Sequence, residues 1–75
     1  MSFQLMRLRW KVADHQEGRW EAYRHDGRQS WYVGAADTRR DAWAIMESDR
    51  RFWLSLPNTI ELVPPQLYQQ PGVWQ

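Results

Sequence analysis

Residues 19–35, RWEAYRHDGRQSWYVGA, decide the fold because they contain two strand patterns on either side of a strong turn signal. The signal is Asp26 followed by Gly27. A type I′ turn needs positive φ angles at both central residues, and aspartate and glycine tolerate these best. The stretch therefore predicts a β-hairpin made of strands 19–25 and 28–35.

Both strands of this hairpin alternate between an apolar and a polar side. The apolar side, expected to face a core, carries Trp20, Ala22, Trp31, Val33 and Ala35. The polar side carries Arg19, Glu21, Tyr23, His25, Arg28, Ser30 and Tyr32.

The same alternation occurs upstream, in residues 6–12. One side is apolar, with Met6, Leu8, Trp10 and Val12. The other side is basic, with Arg7, Arg9 and Lys11. This pattern predicts a half-buried strand, and the polar residues 14–18, which end in glycine, predict a hairpin loop between it and the next strand.

A helix is expected after the third strand, over residues 39–52. Thr38 is placed to cap its N-terminus, and Asp41 lies in the first turn, where the helix dipole favours an acid. Apolar residues recur at helical spacing in Ala42, Trp43, Ile45, Met46 and Trp53. Residues 59–63 read as a short edge strand that ends at two prolines, which cannot donate ladder hydrogen bonds.

The pattern predicts one α+β domain, residues 1–63, in which a three-stranded antiparallel sheet packs against one helix, with residues 59–63 as a short fourth strand. One side of the sheet is then left to water or to a partner. Residues 64–75 form a tail rich in proline and glutamine, expected to be extended or partly disordered. Whether this tail packs on the domain or is kept for a partner stays open, as does the oligomeric state.

Composition limits the sources of stability. A chain of 75 residues has one small core, and the absence of cysteine excludes disulfides and thiolate metal sites. Six tryptophans can supply much of that core instead. No apolar run approaches the roughly 18 residues of a membrane span, and the N-terminus lacks the layout of a secretory signal. We therefore expect a cytoplasmic protein with no membrane association.

Catalysis is not expected. His15 and His25 lack metal-ligand spacing to another donor, and the loop around Asp14, His15 and Glu17 is typical of a solvated turn. The sequence has no glycine-rich phosphate loop and no nucleophile elbow. The expectation is a binding module without enzymatic activity, cofactor, metal or small-molecule substrate.

The polar side of the sheet carries the functional hypothesis, because five cations and two tyrosines accompany a single acid. The net charge of only +1 hides this patch, since acids lie on the helix at Asp37, Asp41, Glu47 and Asp49. Such a surface suits phosphate contacts and base edges. The predicted nucleic-acid-binding residues are Arg7, Arg9, Lys11, Arg19, Tyr23, His25, Arg28, Ser30 and Tyr32. The alternative is that charge merely keeps an exposed sheet face soluble.

Residues 18–46, GRWEAYRHDGRQSWYVGAADTRRDAWAIM, carry a family pattern: Trp20, Asp26-Gly27, Tyr32-Val33-Gly34, Asp37-Thr38 and Asp41-Ala42. In this they resemble the three-stranded DNA-binding domain of plant ethylene-response factors and are similar to the arm-type N-terminal domain of phage integrases. The resemblance implies a sheet that lies in the DNA major groove, with His25 and Tyr32 at contact positions and Arg19 beside them. The pattern departs from the family at His25 and Ser30, where arginine is usual, and its Arg-rich first strand is matched only loosely.

A second function is kept beside DNA binding: a protein-interaction adaptor or inhibitor, of the kind that phages encode against host complexes. Exposed tryptophan, tyrosine and arginine residues would then anchor the interface. In the tail, Tyr68 and Trp74 are the predicted anchors.

Overall fold

The computed structural model describes residues 4–16 and 18–68, which form a mixed β-sheet covered on one side by a helix. The elements are β1 (Met6–Gln16), β2 (Arg19–His25), β3 (Ser30–Ala36), α1 (Arg39–Leu54), β4 (Thr59–Glu61) and β5 (Gln66–Tyr68). The strand order is β3-β2-β1-β4, and β5 also pairs with β1. The predicted α+β class, three antiparallel strands against one helix, is confirmed.

Strand β1 lies in the middle of the sheet and is paired along both of its edges. One edge runs antiparallel to β2. The other is shared between two short parallel strands: Met6–Leu8 pairs with β4, and Lys11–Ala13 pairs with β5. The expected fourth strand is thus present with shorter bounds, and the segment assigned to the tail contributes a strand of its own.

The core lies between α1 and the sheet. Its fully buried residues are Leu8, Trp10, Val12, Ala22, Ala42 and Met46. Trp20, Trp43 and Trp53 pack against this cluster while partly buried. Among the apolar positions predicted for β1, Met6 is the exception. It is 37% exposed, because as the first residue of the strand it lies at the margin of the helix–sheet layer.

Helix α1 begins as predicted. The Thr38 hydroxyl accepts a hydrogen bond from the backbone N–H of Asp41 at 3.1 Å, which satisfies one of the donors left over at a helix N-terminus. The helix ends at Leu54, two residues beyond the expected end, and the backbone N–H of Ser55 closes it on the Arg51 carbonyl at 3.1 Å.

The β2–β3 hairpin is confirmed, but its turn is not type I′. Gly27 has φ +93°, whereas the φ of Asp26 is not positive, so the loop spans residues 26–29 and β3 starts at Ser30. Asp26 acts through its side chain: Oδ1 accepts from the backbone N–H groups of Arg28 at 2.9 Å and Gln29 at 3.0 Å. Aspartate is favoured in turns for this reason as well.

The first hairpin is tighter than predicted. β1 continues through Gln16 and β2 starts at Arg19, so most of the expected 14–18 loop is strand. A register shift between Asp14 and Gln16 adds a local irregularity to this end of the sheet. Gly18 has φ +74°, a value that glycine adopts without the steric cost that other residues meet.

A β-bulge at Val33 changes which side of the sheet the end of β3 faces. Ala22 pairs with Gly34 while Tyr23 pairs with Tyr32, which leaves Val33 as an extra residue. Ala35 consequently pairs with Glu21, on the side away from the helix, so its predicted core position is wrong. Ala36 packs against the core instead.

Gly34 of β3 lies close to Ile45 of the helix, which yields the first prediction. A Cβ atom at this position would lie 2.9 Å from the Cγ2 of Ile45. Because that methyl group is held close to the helix backbone, we expect Gly34→Ala to lower the free energy of unfolding by about 1–3 kcal/mol through overpacking. Urea unfolding followed by circular dichroism measures it.

The matched control is a double-mutant cycle with Ile45→Ala. Removing the Ile45 side chain should relieve the clash, so Gly34→Ala should cost less in that background. An equal cost in both backgrounds would contradict the steric explanation.

Candidate nucleic-acid interface

The side of the sheet away from α1 is called the outer face here. The pairing of β1 with β2 places Arg9 opposite His25 and Lys11 opposite Tyr23. The pairing of β2 with β3 places Tyr23 opposite Tyr32 and His25 opposite Ser30. Directly opposite residues share one side of a sheet. The outer face therefore brings together the six predicted residues Arg9, Lys11, Tyr23, His25, Ser30 and Tyr32.

Exposure divides the predicted residues into three groups. Arg7, Arg19, Arg28, Ser30 and Tyr32 are exposed, and Arg9, Tyr23 and His25 are intermediate. Lys11 is only 5% exposed. The expectation of a solvent-facing Lys11 is therefore wrong, although its side of the strand is right. Glu21 is also buried, at 8% exposure.

A polar cluster around Tyr23 occupies the middle of the outer face. The Lys11 Nζ lies 5.5 Å from the centre of the Tyr23 ring. The Tyr23 hydroxyl donates to Glu21 Oε1 at 3.0 Å, and the Arg19 Nε donates to Glu21 Oε2 at 3.5 Å. Burial, and secondarily Arg9, lowers the pKa of Lys11. Glu21 and the lowered pKa of Lys11 therefore reduce the positive charge in the middle of this face.

Tyr23 gives the second prediction. Burial and the hydrogen bond to Glu21 raise its pKa from 10.0 to about 12. Between these values the folded state keeps the phenolic proton and the unfolded state loses it. The free energy of unfolding should therefore fall as pH rises from 10.0 to about 12.

Tyr23→Phe should flatten this alkaline loss of stability, measured as urea midpoints across that pH range. Tyr32→Phe is the control, since Tyr32 is an exposed tyrosine on the same face. If Tyr23→Phe and wild type lost stability in parallel, the assignment to Tyr23 would be wrong.

His25 serves the turn as an acceptor. Its Nδ1 accepts from the Gly27 backbone N–H at 3.0 Å, which places the ring proton on Nε2. Burial and the nearby Arg9 lower the pKa of His25 below its usual value of 6.5. His25 is therefore neutral at pH 7 and offers a hydrogen bond rather than a charge.

A cleft of about 510 Å³ lies at the turn end of the sheet. Its lining residues are Gln4, Leu5, Met6, Arg7, Asp26, Gly27, Arg28 and Leu62. Within residues 4–16 and 18–68, no carboxylate lies within 4.0 Å of the guanidinium of Arg7 or Arg28. Two arginines that form no ion pair within the described part of the chain thus share a cleft with Asp26 and with apolar side chains.

Asp26 is the acid of this cleft, but its oxygens are already engaged. Besides the two backbone donors at Oδ1, its Oδ2 accepts from the Trp31 Nε1 at 2.9 Å. The Trp31 hydrogen bond and the two backbone donors lower the pKa of Asp26 to about 2. Asp26 therefore shapes the turn and stays ionised, with three donors that stabilise its negative charge.

The helix side of the sheet holds a charged network that the sequence patterns did not reveal. Asp49 Oδ2 accepts from the Trp10 Nε1 at 2.8 Å, and both oxygens of Asp49 accept from Arg24 Nη1 at 2.8 Å. The Arg24 guanidinium also lies 4.5 Å from the centre of the Trp53 ring. The sequence carried one signal for this network. Arg24 continues the alternation of Trp20 and Ala22, which places it on the core side of β2.

The helix acids do not form a uniform acidic pole. Glu47 and Glu61 both bind Arg50, and this ion-paired setting raises the pKa of the Arg50 guanidinium. Asp49 is bound to Arg24, and of the four predicted helix acids only Asp41 and Asp37, which precedes α1, are exposed. The expected charge separation between helix and sheet is therefore weaker than the residue counts imply.

A second, smaller cleft of about 400 Å³ lies between α1 and β5. It is lined by Arg39, Arg40, Trp43 and Leu67. Arg39 and Arg40 are exposed, and Leu67 is 39% exposed. The predicted anchor Tyr68 contributes its backbone to β5 opposite Ala13, whereas Trp74 lies outside the described residues.

Among residues 4–16 and 18–68, no three His, Cys, Asp or Glu side chains are grouped so that they could hold a metal ion. The helix in this part falls short of the length and apolar character needed to cross a membrane.

Comparison of the chain with family models, with curated proteins and with solved structures gives no match. The resemblance to ethylene-response-factor and integrase domains therefore stays a prediction.

Proposed function

We propose that the protein is a non-catalytic module that binds nucleic acid, with DNA favoured, through the outer face and the cleft at its turn end. The observation that carries the proposal is the pair Arg7 and Arg28, which have no acidic partner in the described chain and lie at the end of the face that displays Tyr32. Guanidinium groups in this setting suit phosphate oxygens, which dominate the affinity of nucleic-acid-binding proteins.

The cations of the outer face are not equally available to a phosphate. Lys11 is buried, and Arg19 shares its charge with Glu21. Arg7 and Arg28 are therefore the strongest candidates for phosphate contacts. His25, Ser30 and Tyr32 lie on the outer face and would approach base edges. A cytoplasmic location, where such a module would meet nucleic acid, remains our expectation.

Salt dependence tests this proposal directly. Fluorescence anisotropy with labelled DNA of mixed sequence should show affinity that falls with salt, with a log–log slope of about −2 to −3 for two to three phosphate contacts. Exchanging both arginines, Arg7→Gln with Arg28→Gln, should flatten the slope by nearly 2. Arg51→Gln, an exposed arginine on α1, is the matched control and should leave the slope unchanged.

Two results would overturn the proposal. One is the absence of any anisotropy change at low salt. The other is equal weakening by the Arg51 control and by the double variant, since affinity would then reflect net charge alone.

A protein-interaction module is the second candidate, as an adaptor or a phage-type inhibitor. The cleft of Arg39, Arg40, Trp43 and Leu67 favours it, because it pairs two exposed guanidinium groups with apolar side chains and so suits an acidic segment with an apolar residue. Reversing two charges, Arg39→Glu with Arg40→Glu, should abolish such a complex and leave DNA binding through Arg7 and Arg28 intact. Tyr68 and Trp74 remain predicted anchors for this function.

A further inference from the structure

We propose that the module prefers single-stranded nucleic acid to duplex, with one unstacked nucleotide seated in the cleft of Arg7, Arg28 and Leu62. This inference rests on the proposed function and names the form of nucleic acid that the surface fits.

The cleft combines two chemistries that a nucleotide also combines. Arg7 and Arg28 offer charge to a phosphate. The wall beside them is aliphatic, with Leu5 47% exposed, Met6 37% and Leu62 49%. A volume of about 510 Å³ lies within the usual range for small-ligand sites, and is large enough for a base and its sugar. A phosphate alone would leave the aliphatic wall in water.

Tyr32 provides a second apolar contact on the same face. Its side chain is 57% exposed, and an edge-to-face contact with Tyr23, with ring centres 6.0 Å apart, orients the ring. Aromatic rings on open sheets stack on bases irrespective of sequence. Tyr32 is therefore suited to stack on a base that is not already paired.

Ring and cleft lie along one line of the sheet. Ser30 and Tyr32 are successive residues on the outer face of β3, about 7 Å apart along the strand. Arg28 lies in the turn just before them. A short run of nucleotides that stacks on Tyr32 thus reaches the cleft by passing Ser30 and Arg28.

A duplex uses this surface less well. Its bases are stacked inside the helix, so neither the Tyr32 ring nor the aliphatic wall of the cleft gains a partner. In the cluster around Tyr23, the buried pair Lys11 and Glu21 also leaves the middle of the face with little net positive charge for a second backbone. Single strands offer phosphates and unstacked bases together.

Anisotropy titrations with one labelled oligonucleotide of about 20 nucleotides, single-stranded and then annealed, test the inference. We expect the single strand to bind about tenfold more tightly at the same salt. Tyr32→Ala and Leu62→Gln should each weaken single-strand binding by roughly fivefold or more, because fivefold is near the smallest effect expected when one base contact is lost. Both variants should change duplex binding little. The controls are Phe52→Ala and Leu56→Gln, matched exposed residues away from the cleft.

An abasic oligonucleotide of the same length separates charge from base contacts, because it keeps the phosphates and lacks the bases. It should bind no better than duplex. Equal affinity for single strand and duplex, or for the abasic and the complete strand, would overturn the inference while leaving the proposed function in place. Failure of every oligonucleotide to bind would end both. Circular dichroism on each variant confirms that it is folded.

Discussion

Trp10→Ala is expected to lower the free energy of unfolding by about 4 kcal/mol, which is most of the stability of a domain this small. Trp10 has the largest fully buried side chain of the described residues and belongs to the core cluster. Its removal leaves a cavity that neighbours from both β2 and α1 would have to fill. Chemical unfolding followed by far-ultraviolet circular dichroism measures the effect without relying on tryptophan fluorescence.

Trp31→Ala is the matched control for this prediction. Trp31 is 44% exposed and its single described hydrogen bond, to Asp26, is at the surface, so we expect a loss below about 1 kcal/mol. Trp10→Phe keeps one aromatic ring but removes the five-membered ring of the indole together with its N–H donor, and should cost about 1–2 kcal/mol. Similar losses for Trp10→Ala and Trp31→Ala would show that the core has been misplaced.

Asp49→Ala should have the second largest effect, a loss of about 3 kcal/mol. The carboxylate accepts from both the Trp10 indole and the Arg24 guanidinium, and the Arg24 and Asp49 side chains are only 16% and 17% exposed. Removing it leaves a largely buried cation and a buried indole N–H without their acceptor, which costs more than the intact interaction contributes.

Asp37→Ala serves as the control, since Asp37 is an exposed acid before the helix and should change stability by less than about 0.5 kcal/mol. Asp49→Asn keeps an oxygen for Trp10 and removes the charge that Arg24 requires, so its cost should lie between those of the two alanine variants. A cost for Asp49→Ala no greater than that of Asp37→Ala would refute the importance of this network.

The main architecture was predictable because it follows from local signals. Alternation in residues 6–12 identified Leu8, Trp10 and Val12 as core, and the Asp26-Gly27 pair located the hairpin. Thr38 marked the start of the helix through a capping bond that depends on near neighbours alone. Each of these signals involves residues only a few positions apart.

Features that depend on a single inserted residue or on distant partners were missed. After the bulge at Val33, the remaining residues of β3 point to the opposite sides from those that alternation predicts. An alternating sequence pattern does not show where one extra residue is inserted. The β5 strand has three residues, too few for alternation to distinguish it from a loop. Its position follows from pairing with β1, which only the folded chain makes visible.

The sequence predicted which residues share the outer face better than it predicted how exposed they are. Strand parity correctly grouped Arg9, Lys11, Tyr23 and His25 on one side. Parity carries no information on how far a side chain is covered, so the burial of Lys11 and Glu21 did not follow from it. The arginine cleft was not foreseen either, because Leu62 joins it from the chain after β4.

The double pairing of β1 has a consequence for the order of assembly. The two hairpins β1–β2 and β2–β3 join segments adjacent in the chain, whereas β4 and β5 join the first strand to the last part of the described sequence. Loop closure over most of the chain is slow relative to hairpin formation. A chain still emerging from the ribosome would therefore expose one unpaired edge of its first strand. Nascent copies could exchange strands at this edge until the segment that pairs with it has been synthesised.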